Sequence, residues 1–276
     1  MPNKPLNQLS PTERIEYYLG KDRFRDRFWQ NSLPRQWDIP ARGNNKYQFF
    51  TPQAGNSVFT DKRDLGTEYR INDYGYRNHY DFGDLDLDGQ KVIACFGCSN
   101  VYGSCVDYED IWTTLLQKQL GDEYLVMNFG VPSLSNDGIA RIGYRAMMAL
   151  SGHVAAACVL WAPSSLREFV TKKFQSGVHI LDNNHLPFDD WWEHIDWVSN
   201  NYNYGKNRAL LESTSAAIGC DFVDLMINLD DKKYQFDLIE FGNYHAIGKN
   251  THRAMADWYY KKLKRIPSLY EEISRP

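Results

Sequence analysis

The sequence predicts an α/β fold organised on a parallel sheet, and three observations carry that reading. Residues 92–96, 124–129 and 155–161 are short, unbroken apolar runs, as strands buried on both faces are. Segments with helical spacing separate them, and strand, helix, strand, helix, strand is the signature of a parallel sheet with right-handed crossovers. The first run also stops abruptly at Gly97. Glycine allows a sharp turn there, so Cys98, Ser99 and Asn100 are presented at the carboxyl edge of the sheet, where open α/β sheets hold their ligands.

Each element can be justified in order. A helix is predicted over 11–29, with Ser10 as its cap and Pro11 in its first turn. Beyond it the chain is rich in Pro, Gly, Asn and Gln, so residues 1–88 are expected to be an irregular N-terminal extension with one helix, and residues 89–276 the main domain. Within the extension, residues 67–78 read as a short strand and an Asn/Asp/Gly turn, followed by an acidic loop over 81–89. After Gly103, Glu109 and Asp110 precede Ile111, Trp112, Leu115, Leu116 and Leu120, a helical spacing with acid near its start. The second strand leads into a turn containing Ser133, Ser135, Asn136 and Asp137, then a helix over 138–151. A further helix is expected over 203–218, a fourth strand over 221–224 and a last helix over 249–264, with Met255, Trp258, Tyr259 and Leu263 on one side. Residues 164–202 form an insertion dense in tryptophan and acid at its centre. It is either a short amphipathic helix using Trp191, Ile195 and Val198, or a lid or sugar-stacking platform.

Composition narrows the function classes. A 276-residue chain of formal charge −4 offers no bulk basic surface for nucleic acid or acidic membrane. No apolar run has the length of a membrane span, and residues 1–20 lack the apolar segment of a signal peptide, so a cytoplasmic or virion-associated location is expected. Five cysteines, with Cys95, Cys158 and Cys220 in or beside apolar runs, do not suggest a disulfide scaffold. Cys95 and Cys98 have Cys-x-x-Cys spacing, but Cys95 falls inside the predicted strand and not at a helix start, which argues against a redox pair. No metal-binding spacing is present, and no metal or other cofactor is expected.

A serine at a sheet edge can be a nucleophile if a base lies within hydrogen-bond reach and donors await the oxyanion. Among seven histidines, His245 has the best context: it follows a Gly242-Asn243 loop and stands just before the last helix, so it can return to the edge that carries Ser99. Nearness to a helix N-terminus would keep it neutral. His252 is expected a turn or two into that helix. His79, His153, His179, His185 and His194 read as surface or packing residues.

These residues resemble the SGNH, or GDSL-type, hydrolases through most of the chain and in the family's order. Gly97-Cys98-Ser99-Asn100, with Gly103 following, looks like the nucleophile block in a Gly-Cys-Ser variant. Asn128-Phe129-Gly130-Val131-Pro132-Ser133 looks like the second block, and Asn72-Asp73-Tyr74-Gly75-Tyr76-Arg77 like an element that precedes the first strand in one branch. His245 and the helix behind it look like the last block. The resemblance implies a three-layer α/β/α sandwich around a mostly parallel, flavodoxin-like sheet, and ester hydrolysis or acyl transfer through Ser99 and His245.

Some family positions are filled differently. Ser133 stands where the second block has glycine, but it keeps the backbone N–H that would serve the oxyanion. Trp161-Ala162-Pro163-Ser164-Ser165 replaces the third block, so its asparagine donor is missing, and Ser164, Asn136 or Asn100 must stand in. The acid expected before the histidine is absent. Asn243 can orient an imidazole through its amide oxygen, and Glu240, Asp237 and Asp224 are other candidates. Two readings follow: an esterase or acyltransferase for a small-molecule or glycan ester, such as an O-acetylated carbohydrate, or an SGNH-like domain with a degraded site serving as a glycan- or protein-binding module.

Overall fold

The computed structural model describes residues 4–5, 8–19, 57–60, 67–132, 134–164, 167–170, 178–181, 197–226, 237–241 and 244–269. In chain order the elements begin with α1 (Pro11–Leu19), β1 (Ser57–Thr60), β2 (Glu68–Ile71), β3 (Lys91–Gly97), α2 (Ser99–Tyr102), α3 (Trp112–Leu120), β4 (Tyr124–Gly130) and α4 (Asn136–Ala149). They continue with β5 (Val154–Trp161), β6 (Arg167–Val170), β7 (Val178–Leu181), α5 (Trp197–Ile218), β8 (Asp221–Met226), β9 (Leu238–Phe241), β10 (Tyr244–Ile247) and α6 (Lys249–Leu263).

The central sheet runs β4-β3-β5-β8, with all three pairings parallel. Counted along the sheet's own strands this is the order 2-1-3-4 of a flavodoxin-like α/β fold, whose ligand crevice lies at the carboxyl ends beside the first strand. The apolar runs explain the layers. Along β3, Val92, Ala94 and Phe96 face a core shared with Ile15, Ile139, Ala146 and Leu211 of α1, α4 and α5. Ile93 and Cys95 face the opposite core, with Trp112 and Leu116 of α3 and Met255 and Tyr259 of α6. Trp112 and Tyr259 stack there with ring centroids 4.5 Å apart, which adds about 1 kcal/mol to the burial of two large side chains. The expected three-layer α/β/α sandwich is therefore the observed one.

Element ends shift modestly. Helix α5 begins at Trp197, earlier than expected, and β8 extends to Met226. The first helix has nine described residues, and 20–29 lie outside them. Its start is a reciprocal cap, Ser10 Oγ accepting from the Glu13 N–H at 3.2 Å and Glu13 accepting from the Ser10 N–H at 2.8 Å.

Strand β4 is an edge strand, and residues 76–82 cover it. The Asn78 side chain accepts from the Asn128 N–H at 3.0 Å and donates to the Asn128 carbonyl at 2.9 Å, as a neighbouring strand would. Tyr80 Oη donates to the Val126 carbonyl at 3.0 Å. These side chains satisfy an edge that would otherwise pair with another chain. Tyr76 and Phe82 pack on Phe129 beside them.

Candidate active site

Ser99 opens α2 directly after β3, and the sheet beneath it is shaped for close approach. Gly97 and Gly130 end β3 and β4 in register with each other. A Cβ on Gly97 would run into Val101 and lie 2.7 Å from the Leu160 carbonyl. One on Gly130 would strike the Tyr102 backbone N and lie 2.6 Å from Val101 C. Only glycine lets α2 rest on the strand ends at this height.

Asn128 fixes the helix from below. Its amide nitrogen donates to the Val101 carbonyl at 2.8 Å and to Thr113 Oγ1 at 3.2 Å, while its oxygen accepts from the Gly130 N–H at 2.8 Å. From behind, the Ser99 carbonyl accepts from the N–H groups of Gly103 (2.8 Å) and Ser104 (3.1 Å). Buried Arg77 donates through Nη1 to the carbonyls of Gly103 (2.5 Å) and Tyr102 (3.4 Å), and through Nη2 to those of Val106 (2.9 Å) and Glu68 (3.1 Å). Its guanidinium lies over the Tyr69 ring, 4.4 Å from the centroid. Burial lowers its pKa, with Tyr102, Tyr69, Tyr108 and Asp107 opposing the shift; an arginine so placed remains charged. The Ser99 hydroxyl itself is half-buried and donates weakly to Cys98 Sγ at 3.8 Å.

The histidine side is built differently. His245 lies in β10, the second strand of a β9–β10 ribbon, paired with Glu240 in antiparallel register. It precedes α6, which starts at Lys249 as expected; the strand was not expected, and it holds His245 in extended backbone. Cα atoms of α2 and β10 approach within 8 Å, so the helix that begins with Ser99 lies beside the strand that contains His245. Asp237 secures the base of the ribbon to α6. Its carboxylate accepts from the N–H of Thr251 (2.8 Å) and of Asn250 (3.1 Å) and from Thr251 Oγ1 (2.8 Å), and its carbonyl accepts from the Gly248 N–H (3.1 Å). Burial raises the Asp237 pKa, but these donors outweigh it and leave the pKa lowered.

The other expected residues divide clearly. Asn100 is half-buried within α2, and Ser164 half-buried beyond the end of β5. Asn136 is not held open for an oxyanion. It is fully buried at the start of α4, and its amide accepts from the Ala162 N–H (3.0 Å) and donates to the Ala162 carbonyl (3.1 Å), because a buried amide must be satisfied. Of the acids, Asp224 bonds Arg208 at 2.7 Å and Trp161 Nε1 at 3.0 Å, and Asp237 serves α6, so neither is directed to an imidazole. Ser133, Asn243 and the tryptophan-rich 188–196 lie outside the described residues, and Val198 is exposed on α5.

His252 falls in the first turn of α6 and is fully buried, its Nδ1 accepting from the Trp112 N–H at 3.2 Å. Burial, with nearby Arg77, drives its pKa down to about 3. It is a neutral cap for α3. Cys95 and Cys98 face opposite cores, and all five cysteines are free. Burial, with Cys158 adjacent, pushes the Cys95 thiol well up. Among the described residues no cluster of three or more His, Cys, Asp or Glu could hold a metal, and no helix is long and apolar enough to cross a membrane.

No protein-family model matches the chain, and no curated protein matches it in sequence. Solved structures do show likeness. A lipolytic protein of the G-D-S-L family from Veillonella parvula is 14% identical with a TM-score of 0.39, covering 64% of this chain and 100% of its own. A carbohydrate acetylesterase family member from Sinorhizobium meliloti is 12% identical with a TM-score of 0.33, over 64% of this chain and 98% of its own. The M. smegmatis aryl esterase is 10% identical with a TM-score of 0.34, over 63% and 99%.

Proposed function

We propose that the protein is a serine-dependent ester hydrolase or acyltransferase for small acyl esters, with an O-acetylated carbohydrate as the first substrate to test. Ser99 Oγ attacks the acyl carbon while His245 takes its proton. The carbonyl oxygen becomes the oxyanion, received by the backbone N–H groups of Ser99 and Ser133, with Asn100 and Ser164 at the rim of the same edge. Collapse of the tetrahedral species expels the alcohol, which takes the proton from His245, and leaves an acyl-serine. Water or a second alcohol, deprotonated by His245, then releases the acyl group. Asn243, or Glu240 opposite His245 in the ladder, orients the imidazole.

The observation that carries this reading is the position of Ser99. It stands on a two-glycine floor at the carboxyl end of the first sheet strand, with α2 against the strand that contains His245. Without the third-block asparagine, one oxyanion donor fewer means a rate lower by about a hundredfold or more.

A fluorophosphonate probe should label the protein at Ser99, and Ser99→Ala should remove the label. His245→Ala should slow labelling by about a thousandfold or more, because the serine loses its base. A folded wild-type protein that stays unlabelled at high probe concentration would sink the proposal and leave the binding-module reading in its place.

A further inference from the structure

The polar network behind Ser99 is more extensive than a turn requires, and its centre is Arg77. Two peptide units link the guanidinium to the nucleophile residue. Nη1 of Arg77 donates to the carbonyl of Gly103, and the N–H of that same peptide, on Ser104, donates to the Ser99 carbonyl. The neighbouring peptide repeats the arrangement, with the Tyr102 carbonyl facing Arg77 and the Gly103 N–H on Ser99. A charged donor at one end of a peptide polarises the unit and strengthens the hydrogen bond at its other end. The loop so held includes Cys105, at φ 64 a non-glycine residue in the left-handed region. The Cys105 N–H is satisfied by Tyr69 Oη at 2.8 Å, and the Tyr69 ring also flanks the Arg77 guanidinium. Tyr69 and Arg77 come from a segment at least 22 residues before Ser99, so the loop's shape is imposed from outside.

The geometry points to Arg77, backed by the Tyr69 hydroxyl, as the positioning residue of the site: it locks the 102–106 backbone and through it holds Ser99 at the pitch needed for attack. This inference rests on the reading of Ser99 as the nucleophile. It concerns a residue that touches neither substrate nor reacting atoms, and its action is on orientation. Lysine cannot reproduce it, because an ammonium on a single stem cannot address carbonyls on both sides of the planar fork.

The test uses the full chain, with p-nitrophenyl acetate turnover normalised to sites titrated by fluorophosphonate. R77K should lower kcat per titrated site about 10- to 100-fold with KM within about twofold, since a misplaced nucleophile loses rate and not uniform binding. Y69F should lower kcat about fivefold, the worth of one hydrogen bond. In both variants amide exchange at Gly103 and Ser104 should accelerate while exchange within β3 and β4 stays unchanged. Should R77K fail to fold, Y69F carries the test alone. Variants that turn over at the wild-type rate per titrated site, with KM unchanged, overturn the inference while a labelled wild type leaves the serine reading intact. A wild type without label brings down both.

Discussion

Ser99 and His245 are supported by two kinds of chemistry. The serine side is held by groups that do not titrate in the accessible range: Gly97 and Gly130 as a floor, the amides of Asn128 and Asn78, and the guanidinium of Arg77. The histidine side leans on α6, which is held by groups that do titrate: Asp237 caps its first turn, and its own His252 ties it to the start of α3. The lesson is that pH acts unequally on the two halves of one candidate site. Acid should loosen the ribbon bearing His245 while the serine turn stays in place.

The largest effect at neutral pH that could break this comparison is steric. Gly130→Ala sets a methyl against the backbone of α2, which cannot yield as a side chain could, and should cost about 3 kcal/mol by chemical denaturation. A stability loss under 1 kcal/mol would show that the floor is not rigid. Next is His252. Its folded pKa of about 3 lies below the unfolded value of about 6.5, so only the unfolded chain takes up a proton between them. Stability is complete above about pH 6.5 and falls by about 1.4 kcal/mol per pH unit as acid is added, until the folded pKa is reached. His252→Asn, which keeps an acceptor for the Trp112 N–H, should flatten that slope even though it lowers stability at pH 7. A slope unaltered by H252N would locate the acid sensitivity elsewhere.

The smallest effect is at Asp237. Asp237→Ala removes the acceptor for the first turn of α6 and should cost about 1–2 kcal/mol, with faster amide exchange in β9 and β10 than in β3. Because its folded pKa is lowered, its contribution is present above the unfolded carboxylate value of about 4 and disappears as pH falls through the folded value. Equal exchange in ribbon and sheet would mean that Asp237 does not secure the ribbon.

Sequence patterns made the two sides unequally legible. Strands β3, β4 and β5 announce themselves because a strand buried on both faces must be continuously apolar, and Gly97 marks where the turn must fall. Gly242-Asn243 read as a plain loop conceals the ribbon. Two residues of that type between Leu238–Phe241 and Tyr244–Ile247 are a hairpin signal, and that spacing could have revealed it. Arg77 is legible only as the end of the Asn72–Arg77 element, and neither it nor Asn78 shows its burial locally. Polar residues beside a glycine read as a surface turn, and their burial depends on partners 25 to 50 residues away. Asn136 is illegible for the same reason: an asparagine at a helix start is available in sequence, but here Ala162 engages it.

The pairing of Gly97 with Gly130 has one more consequence. Strands β3 and β4 have seven residues each and stay in step from Lys91 and Tyr124 to their ends, so the two glycines arrive together by count. A slip of one residue would bring Phe129 or Val131 beneath α2 and lift it off the sheet. The elevation of the serine is thus a property of two strand lengths, one counted out before the chain reaches it and one after, and an insertion anywhere in either strand would be felt at Ser99.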